Sequence, residues 1–357
     1  MALEIKKIKC ISPSRYYRFK QCQLSELWAM AKNVPIVPVH GNAVLGTIIH
    51  NVLEYFSKDK ESVIEDFETI WEKTEANVIG KQKDKYRYIP LRINSHYYAP
   101  KKNNTKIAIE KLKIRKDSEP NFEGKNEEPM GSTSGKIFGK ADLLIRKYED
   151  NEVSLIDFKT GKVLDENGRI KEEYVLQLKL YAILYNHNYK NIFDAVKEWP
   201  DNLFIVSNDG TFYPVPYSKE EAASILDEIE ASIDGINDII ELGVENLEDR
   251  FSTIGPQCRF CTYRPSCSKY INSGDFNNDI IDTVLSIKKN LPANKWVIKF
   301  ESDPKSLQYY LLSDNDLSMD LDDFIVKKCI ITDVNKQDNL PHYISNRFSV
   351  LRIIENV

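Results

Sequence analysis

The stretch VSLIDFKTGK, residues 153–162, restricts the fold of this chain more than any other segment. Apolar Val153, Leu155 and Ile156 lead into Asp157, Phe158 and Lys159, and a Thr-Gly turn signal closes the run. A strand turns alternate side chains to opposite faces, so Asp157 and Lys159 project together while Phe158 packs on the other side. The preceding run KIFGKADLLIRKY, joined to it by the acidic turn EDNE, predicts the partner strand of a hairpin and brings Asp142 to the same sheet edge. Neighbouring acids repel unless a cation neutralises them, and Mg²⁺ takes one or two protein carboxylates along with waters and phosphate oxygens. Such a set suits hydrolysis of a phosphodiester. A divalent metal polarises the phosphoryl oxygen and acidifies the attacking water, while Lys159 orients that water or steadies the developing charge. The plainer reading of Asp157 and Lys159 is a surface salt bridge at a strand end.

Bulk properties set the frame. With 357 residues, 42% hydrophobic and 29% charged, the chain can bury a full core and predicts one large domain plus an appendage. No apolar run of about 18 residues is present for a membrane span. The start MALEIKKIKC lacks the apolar core and cleavage site of a secretory signal, so a cytoplasmic location is expected. Because 49 basic and 54 acidic residues leave a net charge of −5, any nucleic-acid surface must be local.

Of the six cysteines, three fall in CRFCTYRPSC, as Cys258, Cys261 and Cys267. In a reducing compartment that clustering favours metal or iron–sulfur ligation over disulfides. The fourth ligand must come from afar, with Cys22 the first candidate and Cys10 the reserve. A structural zinc site usually pairs two Cys-x-x-Cys hairpins, and only Cys258 and Cys261 form one here. The scattered spacing therefore suits an iron–sulfur cluster better, with zinc as the alternative. Cys329, in the apolar run DDFIVKKCIITDV, reads as ordinary core.

Along the chain, ISPSRYYRFKQC offers Ser12 or Ser14 as a helix N-cap, NAVLGTIIHNVLEYF places His50 on a helix, and residues 61–76 read as another helix. Residues 81–125 carry 13 Lys and Arg against 5 Asp and Glu, interleaved with Tyr86, Tyr88, Tyr97 and Tyr98. That composition suits contact with DNA, cations on phosphates and rings on bases, and equally a solvated face. EEPMGSTSG reads as a turn-rich loop. EEYVLQLKLYAILYN has helical periodicity, with Gln177 and Tyr181 one turn apart; a second hairpin surrounds Asn208-Asp209-Gly210, and a well-capped amphipathic helix follows it. From residue 275 onward, strand-like runs KWVIKF, LQYYLLS, FIVKKCIITDV and SVLRIIE predict a small β-rich unit with 10 basic and 13 acidic residues.

Six motifs in this order resemble the PD-(D/E)XK nuclease superfamily, in its RecB-like, iron–sulfur branch that includes AddB and the nucleases of CRISPR spacer acquisition. ISPSRYYRFKQC resembles that branch's Ser-Pro-Ser opening, ending at Cys22, and LGTIIHNVLE its Gly-x-x-x-His helix, ending at His50. GKADLL resembles the Gly-x-x-Asp strand with Asp142, IDFKTGK the Asp-x-Lys strand with Asp157 and Lys159, and QLKLY the Gln-x-x-x-Tyr helix. CRFCTYRPSC resembles the terminal cysteine run, and the likeness covers residues 11 to about 270.

The resemblance implies an α/β, restriction-endonuclease-like fold: a mixed central sheet flanked by helices over residues 1–272, with the β-rich unit over 273–357. It implies Asp142, Asp157 and Lys159 as catalytic residues and His50, Asp142 and Asp157 as ligands of Mg²⁺ or Mn²⁺. An upstream glutamate belongs to the pattern, and Glu127 and Glu128 are both available. Gln177 and Tyr181 would line the substrate path, and Cys22, Cys258, Cys261 and Cys267 would hold a 4Fe-4S cluster stapling the two ends of the domain. The implied activity is a metal-dependent DNA nuclease, an exonuclease or end-trimming enzyme on single strands or duplex ends, in repair, recombination, CRISPR adaptation or phage defence. A catalytically silent DNA-binding or scaffold subunit is the rival. No Gly-x-x-x-x-Gly-Lys-Ser/Thr loop occurs, so unwinding would fall to a helicase or other protein subunit, docked through the C-terminal unit.

Overall fold

The strand Val153–Lys159, β3 in chain order, runs through the middle of a five-stranded mixed sheet whose strands lie side by side in sequence order. In this computed structural model, residues 3–37, 39, 41–57, 66–83, 95–118, 121–193, 197–274, 278–290, 295–301, 321–336, 343–345 and 349–354 are described. β1 (Phe122–Gly131), β2 (Phe138–Lys147) and β3 form an antiparallel meander. Helix α6 (Glu172–Ile192) then carries the chain to β4 (Asn202–Ser207), parallel to β3, and β5 (Phe212–Pro214) returns antiparallel. Covered on both faces, β3 reads as a nearly unbroken apolar run until Asp157.

The two faces of the sheet build separate cores. Val153, Leu155, Leu144 and Ile205 pack toward α1 (Pro13–Gln21), α2 (Gln23–Met30), α6 and α7 (Lys219–Glu241). Ile156, Phe158, Leu143 and Val206 pack toward α3 (Gly41–Ser57), α4 (Phe67–Lys83) and α5 (Ser95–Ser118). α6 is buried continuously from Gln177 to Tyr185 because it lies between the sheet and other helices, so it lacks a polar face along that stretch. α7 is amphipathic, with Ile225, Ile229, Ile233 and Ile236 inward, and Ser218 caps it by accepting from the Glu221 N–H at 3.1 Å.

At α1, Ser12 is the N-cap residue, and Pro13 occupies the first turn, where its missing N–H costs nothing. β1 differs from the basic segment and turn-rich loop that its sequence suggests, because FEGKNEEPMG lacks apolar alternation. It forms as an edge strand, where its Pro and charges are tolerated, by pairing with β2 along its whole length. The helix expected over 61–76 begins at Phe67, and its first residues lie outside those described. Tyr86 and Tyr88 also lie outside the described residues.

After α8 (Leu247–Phe251), a 3₁₀ turn over Pro256–Phe260 and another over Arg264–Ser266 carry the cysteines, and α9 (Ser268–Ser273) follows. β6 (Ile280–Asn290), β7 (Lys295–Phe300), β8 (Lys328–Ile331) and β11 (Leu351–Ile353) make an antiparallel sheet of order β11-β8-β6-β7, and β9 (Val334–Lys336) pairs with β10 (Tyr343–Ser345). A third, small core under this sheet holds Cys329, fully buried as expected, while Ile330 faces the core around α1, α6 and α7. The LQYYLLS run lies outside the described residues. Among the described residues no helix is long and apolar enough to cross a membrane.

Candidate active site

Three carboxylates stand in a row across three strands. The β2–β3 ladder ends at the pair Leu143–Ile156, and the next residue on each strand is an aspartate, Asp142 and Asp157. On the other side of β2, the pairs Asn126–Leu143 and Glu128–Ala141 flank the position where Glu127 faces Asp142. Where the ladder opens, Asp142 Oδ2 accepts the Phe158 N–H at 2.7 Å, so a side chain replaces the missing strand partner. Glu127 has φ +50°, the left-handed region that is uncommon for a non-glycine residue and is concentrated at functional positions.

His50 completes this group from α3. Its Nε2 lies 2.8 Å from Glu127 Oε1 and 3.5 Å from Asp142 Oδ1. Gly46, one turn earlier, lets the helix come this close: a Cβ there would stand 3.1 Å from Thr160 Oγ1 at the end of β3. Burial works to lower the His50 pKa, but the hydrogen bond to Glu127 and the charges of Asp142, Glu127 and Asp157 outweigh it and lift it to about 9. Burial, followed by repulsion from Asp157, pushes Asp142 up to about 7.

Asp157, Lys159 and Gln177 form a second, contiguous set. Lys159 Nζ donates to Gln177 Oε1 at 2.8 Å and Gln177 Nε2 donates to Asp157 Oδ1 at 2.7 Å, which fixes the orientation of the amide. The Lys159 ammonium also lies 2.7 Å from Asp157 Oδ2 as a charge contact, since that buried oxygen receives no directed hydrogen bond. Tyr174, one turn before Gln177, places its ring 5.0 Å from Lys159 Nζ, a contact the sequence reading did not anticipate. Tyr181 is buried beside the same carboxylates, and burial with their charges raises its pKa. Gly139 makes this possible: a Cβ there would lie 2.7 Å from Pro13 Cδ and 3.1 Å from the Tyr181 hydroxyl oxygen.

Among the described residues, His50, Glu127 and Asp142 offer ligand atoms within 4.8 Å of one another; Asp157 is not in that tight group. One imidazole and carboxylate oxygens are a donor set suited to Mg²⁺ or Mn²⁺. A buried carboxylate oxygen without a hydrogen bond, and an acid raised by burial and then by its acidic neighbour, fit a cation at this edge. Of the two glutamates left open by the sequence, Glu127 is the one that reaches His50. The register of β1 would have chosen between them, but the sequence of β1 does not announce a strand.

The predicted cysteines meet elsewhere. Cys22, at the α1–α2 junction, lines a cavity of about 350 Å³ with Cys258, Cys261 and Cys267. Gln257 Nε2 donates to the Gln21 carbonyl at 3.3 Å, joining the N-terminal helices to the cysteine run at this point. Burial pushes the Cys261 thiol up to about 12 and the Cys267 thiol up to about 11, with Cys22 adding to both. Cys10 does not line the cavity, and its Sγ lies 3.7 Å from the Ile11 carbonyl. In the described part of the basic segment, Tyr98 is engaged in packing: its hydroxyl accepts from Trp71 Nε1 at 2.8 Å and donates to Glu75 at 2.5 Å.

A mixed sheet with acids and a lysine at one strand edge, flanked by a histidine helix, gathers groups that can hold a divalent cation beside an ammonium. The model of the PD-(D/E)XK nuclease superfamily matches residues 10–268, and the chain belongs to that superfamily. Nucleases of this superfamily use divalent metal ions. The match ends just after Cys267, short of the C-terminal sheet. Among curated proteins, none matches the chain significantly.

Proposed function

We propose that this chain is a divalent-metal-dependent deoxyribonuclease that trims single-stranded DNA from ends, working in the cytoplasm in repair, recombination, CRISPR adaptation or phage defence. The observation that carries the reading is the row Glu127, Asp142 and Asp157, met by His50 on one side and by Lys159 on the other. His50, Glu127, Asp142 and Asp157 would hold Mg²⁺ or Mn²⁺. When bound, the ion supplies Lewis acidity to a phosphoryl oxygen and lowers the pKa of a water.

The chain's own groups do the rest. The Lys159 ammonium, held by Gln177 and Asp157, is positioned to steady negative charge developing at the scissile phosphate. Gln177 fixes that ammonium and one Asp157 oxygen at once, and Tyr181 closes the wall behind them. Without an ATP-binding loop the chain takes its single strands from existing ends, or from a helicase or other protein subunit.

Cys22, Cys258, Cys261 and Cys267 hold a 4Fe-4S cluster in the same reading. Zinc binds thiolates at about 2.3 Å and so gathers its sulfurs tightly. The cysteines line one cavity, and a single Cys-x-x-Cys pair joined by two scattered ligands supports a cluster over the paired hairpins of a structural zinc site.

The test is digestion of end-labelled single-stranded DNA with Mg²⁺ or Mn²⁺, comparing the unaltered protein with Asp157→Ala and Lys159→Ala. Shortening of the label by the unaltered protein alone is expected. Absence of any cleavage by the unaltered protein with either metal would sink the enzymatic reading. Iron and sulfide content with visible absorbance, against stoichiometric zinc in a colourless protein, decides the cysteine site separately.

A further inference from the structure

The cysteine loop is gripped from outside the region matched by the family. Arg264, between Cys261 and Cys267, lines the cavity with them and is nearly fully buried. Its Nη1 donates to the carbonyl oxygen of Cys261 at 3.1 Å. On its other side, Nε and Nη2 donate to the two oxygens of Asp279 at 2.6 and 3.2 Å, and Nη2 also donates to Asp333 Oδ2 at 2.8 Å. Asp279 immediately precedes β6, and Asp333 lies between β8 and β9. Tyr270 of α9, another cavity residue, donates its hydroxyl to Asp279 Oδ2 at 2.9 Å.

The two aspartates are themselves locked. Asp333 has φ +55° and its N–H donates to Asp279 Oδ1 at 2.9 Å; Asn278, just before Asp279, has φ +81° and its carbonyl accepts the Val334 N–H at 2.8 Å. Non-glycine residues hold left-handed backbone only where their surroundings over-determine it. A buried ion pair adds little stability compared with an apolar contact of the same volume, but it fixes direction: a guanidinium fork accepts one arrangement of carboxylates. Here that fork ties a backbone atom of one proposed cluster ligand to the C-terminal sheet.

We propose that Asp279 and Asp333, at the ends of β6 and β8 in the C-terminal sheet, are part of the housing of the cysteine site: they hold Arg264 so that the loop between Cys261 and Cys267 keeps the shape its ligand requires. The four-cysteine site is then completed by a sheet that the sequence presents as a separate appendage. The iron arm of this inference rests on the reading of the cysteines as cluster ligands; the thiol arm does not.

The experiment uses the full chain with Asp279→Asn, Asp333→Asn and, as a control, Glu301→Gln at an exposed position beside the same sheet. Anaerobically loaded proteins are mixed with an iron chelator and the bleaching rate is followed; iron-free proteins are mixed with Ellman's reagent and modification of Cys258 and Cys267 is counted by mass spectrometry. Loss of a supporting contact to a metal ligand costs about 10–100-fold in affinity, so iron release at least about tenfold faster is expected in Asp279→Asn. Faster labelling of the buried thiols is expected alongside it, with Glu301→Gln unchanged. Iron release and thiol labelling at the unaltered rates in both aspartate variants would overturn the proposal. If the unaltered protein takes up no iron, the cluster reading fails and the thiol rates alone decide the housing role. If Asp279→Asn loses its circular dichroism signature of folding, Asp333→Asn, whose carboxylate is partly exposed, carries the same two readouts.

Discussion

The amide oxygen of Gln177 accepts a hydrogen bond from Lys159 Nζ at 2.8 Å. The same amide donates to Asp157, so one side chain on α6 sets the spacing of an acid and a base that the strand pleat alone would only place on a common face. Gln177→Leu removes both bonds while keeping comparable bulk. Removing one partner of a buried hydrogen bond costs about 1–3 kcal/mol, so the variant should still fold. Its turnover should fall by about 10–100-fold, the loss typical of removing a supporting contact at such a centre. KM for DNA should change little, since Gln177 acts through Lys159. A KM effect with unchanged turnover would place Gln177 in substrate binding instead.

Glu127 and Glu128 are adjacent in sequence and unequal in place. Glu127 faces Asp142 across the strands and reaches His50, whereas Glu128 is in register with Ala141. Glu127→Gln should weaken Mn²⁺ binding in calorimetry by about tenfold or more. Glu128→Gln should leave both Mn²⁺ affinity and cleavage near the unaltered values. Equal effects of the two substitutions would remove Glu127 from the proposed metal site.

This pair also marks where the sequence stops being informative. Asp142, Asp157 and Lys159 are legible because the apolar residues around them alternate or run as a buried strand does, and Gln177 and Tyr181 because helical spacing fixes which residues share a face. Glu127 is not. Its strand has Gly124, Pro129 and several charges, and it becomes a strand only through pairing with β2. That Cys258, Cys261 and Cys267 share one cavity is legible from their spacing, but the place of Arg264 is not: its carboxylate partners lie 15 and 69 residues away, and nothing local distinguishes it from a solvated arginine.

Two glycines should respond to alanine in opposite senses. At Gly139 the new methyl would sit 2.7 Å from Pro13 Cδ and 3.0 Å from Tyr181 Cε1, neither of which is a freely moving chain end. Overpacking of this kind costs about 1–3 kcal/mol. At Gly80, within α4, nothing lies within 4 Å of the added methyl. Gly80→Ala should therefore stabilise, by up to about 1 kcal/mol through helix propensity. Thermal melts read both signs. A neutral Gly139→Ala would mean that α1 and α6 are free to move away from β2.

Asp142 is held in an environment that disfavours its charge, since it is buried and Asp157 stands beside it. Asparagine at this position keeps an oxygen to accept the Phe158 N–H and removes one of the two repelling anions. In chelator-treated protein, Asp142→Asn should thus melt above the unaltered chain, by about 1–2 °C for about 1 kcal/mol. Mn²⁺ should reverse the order. A ligand that binds only the folded state adds about 2.7 kcal/mol when present at a hundred times its dissociation constant. The unaltered protein should gain accordingly, while Asp142→Asn, having lost a carboxylate from the tight group with His50 and Glu127, should gain far less. A site built for a cation is stabilised by that cation and by loss of the charge that calls for it; identical Mn²⁺ shifts in the two proteins would show that the ion binds somewhere else.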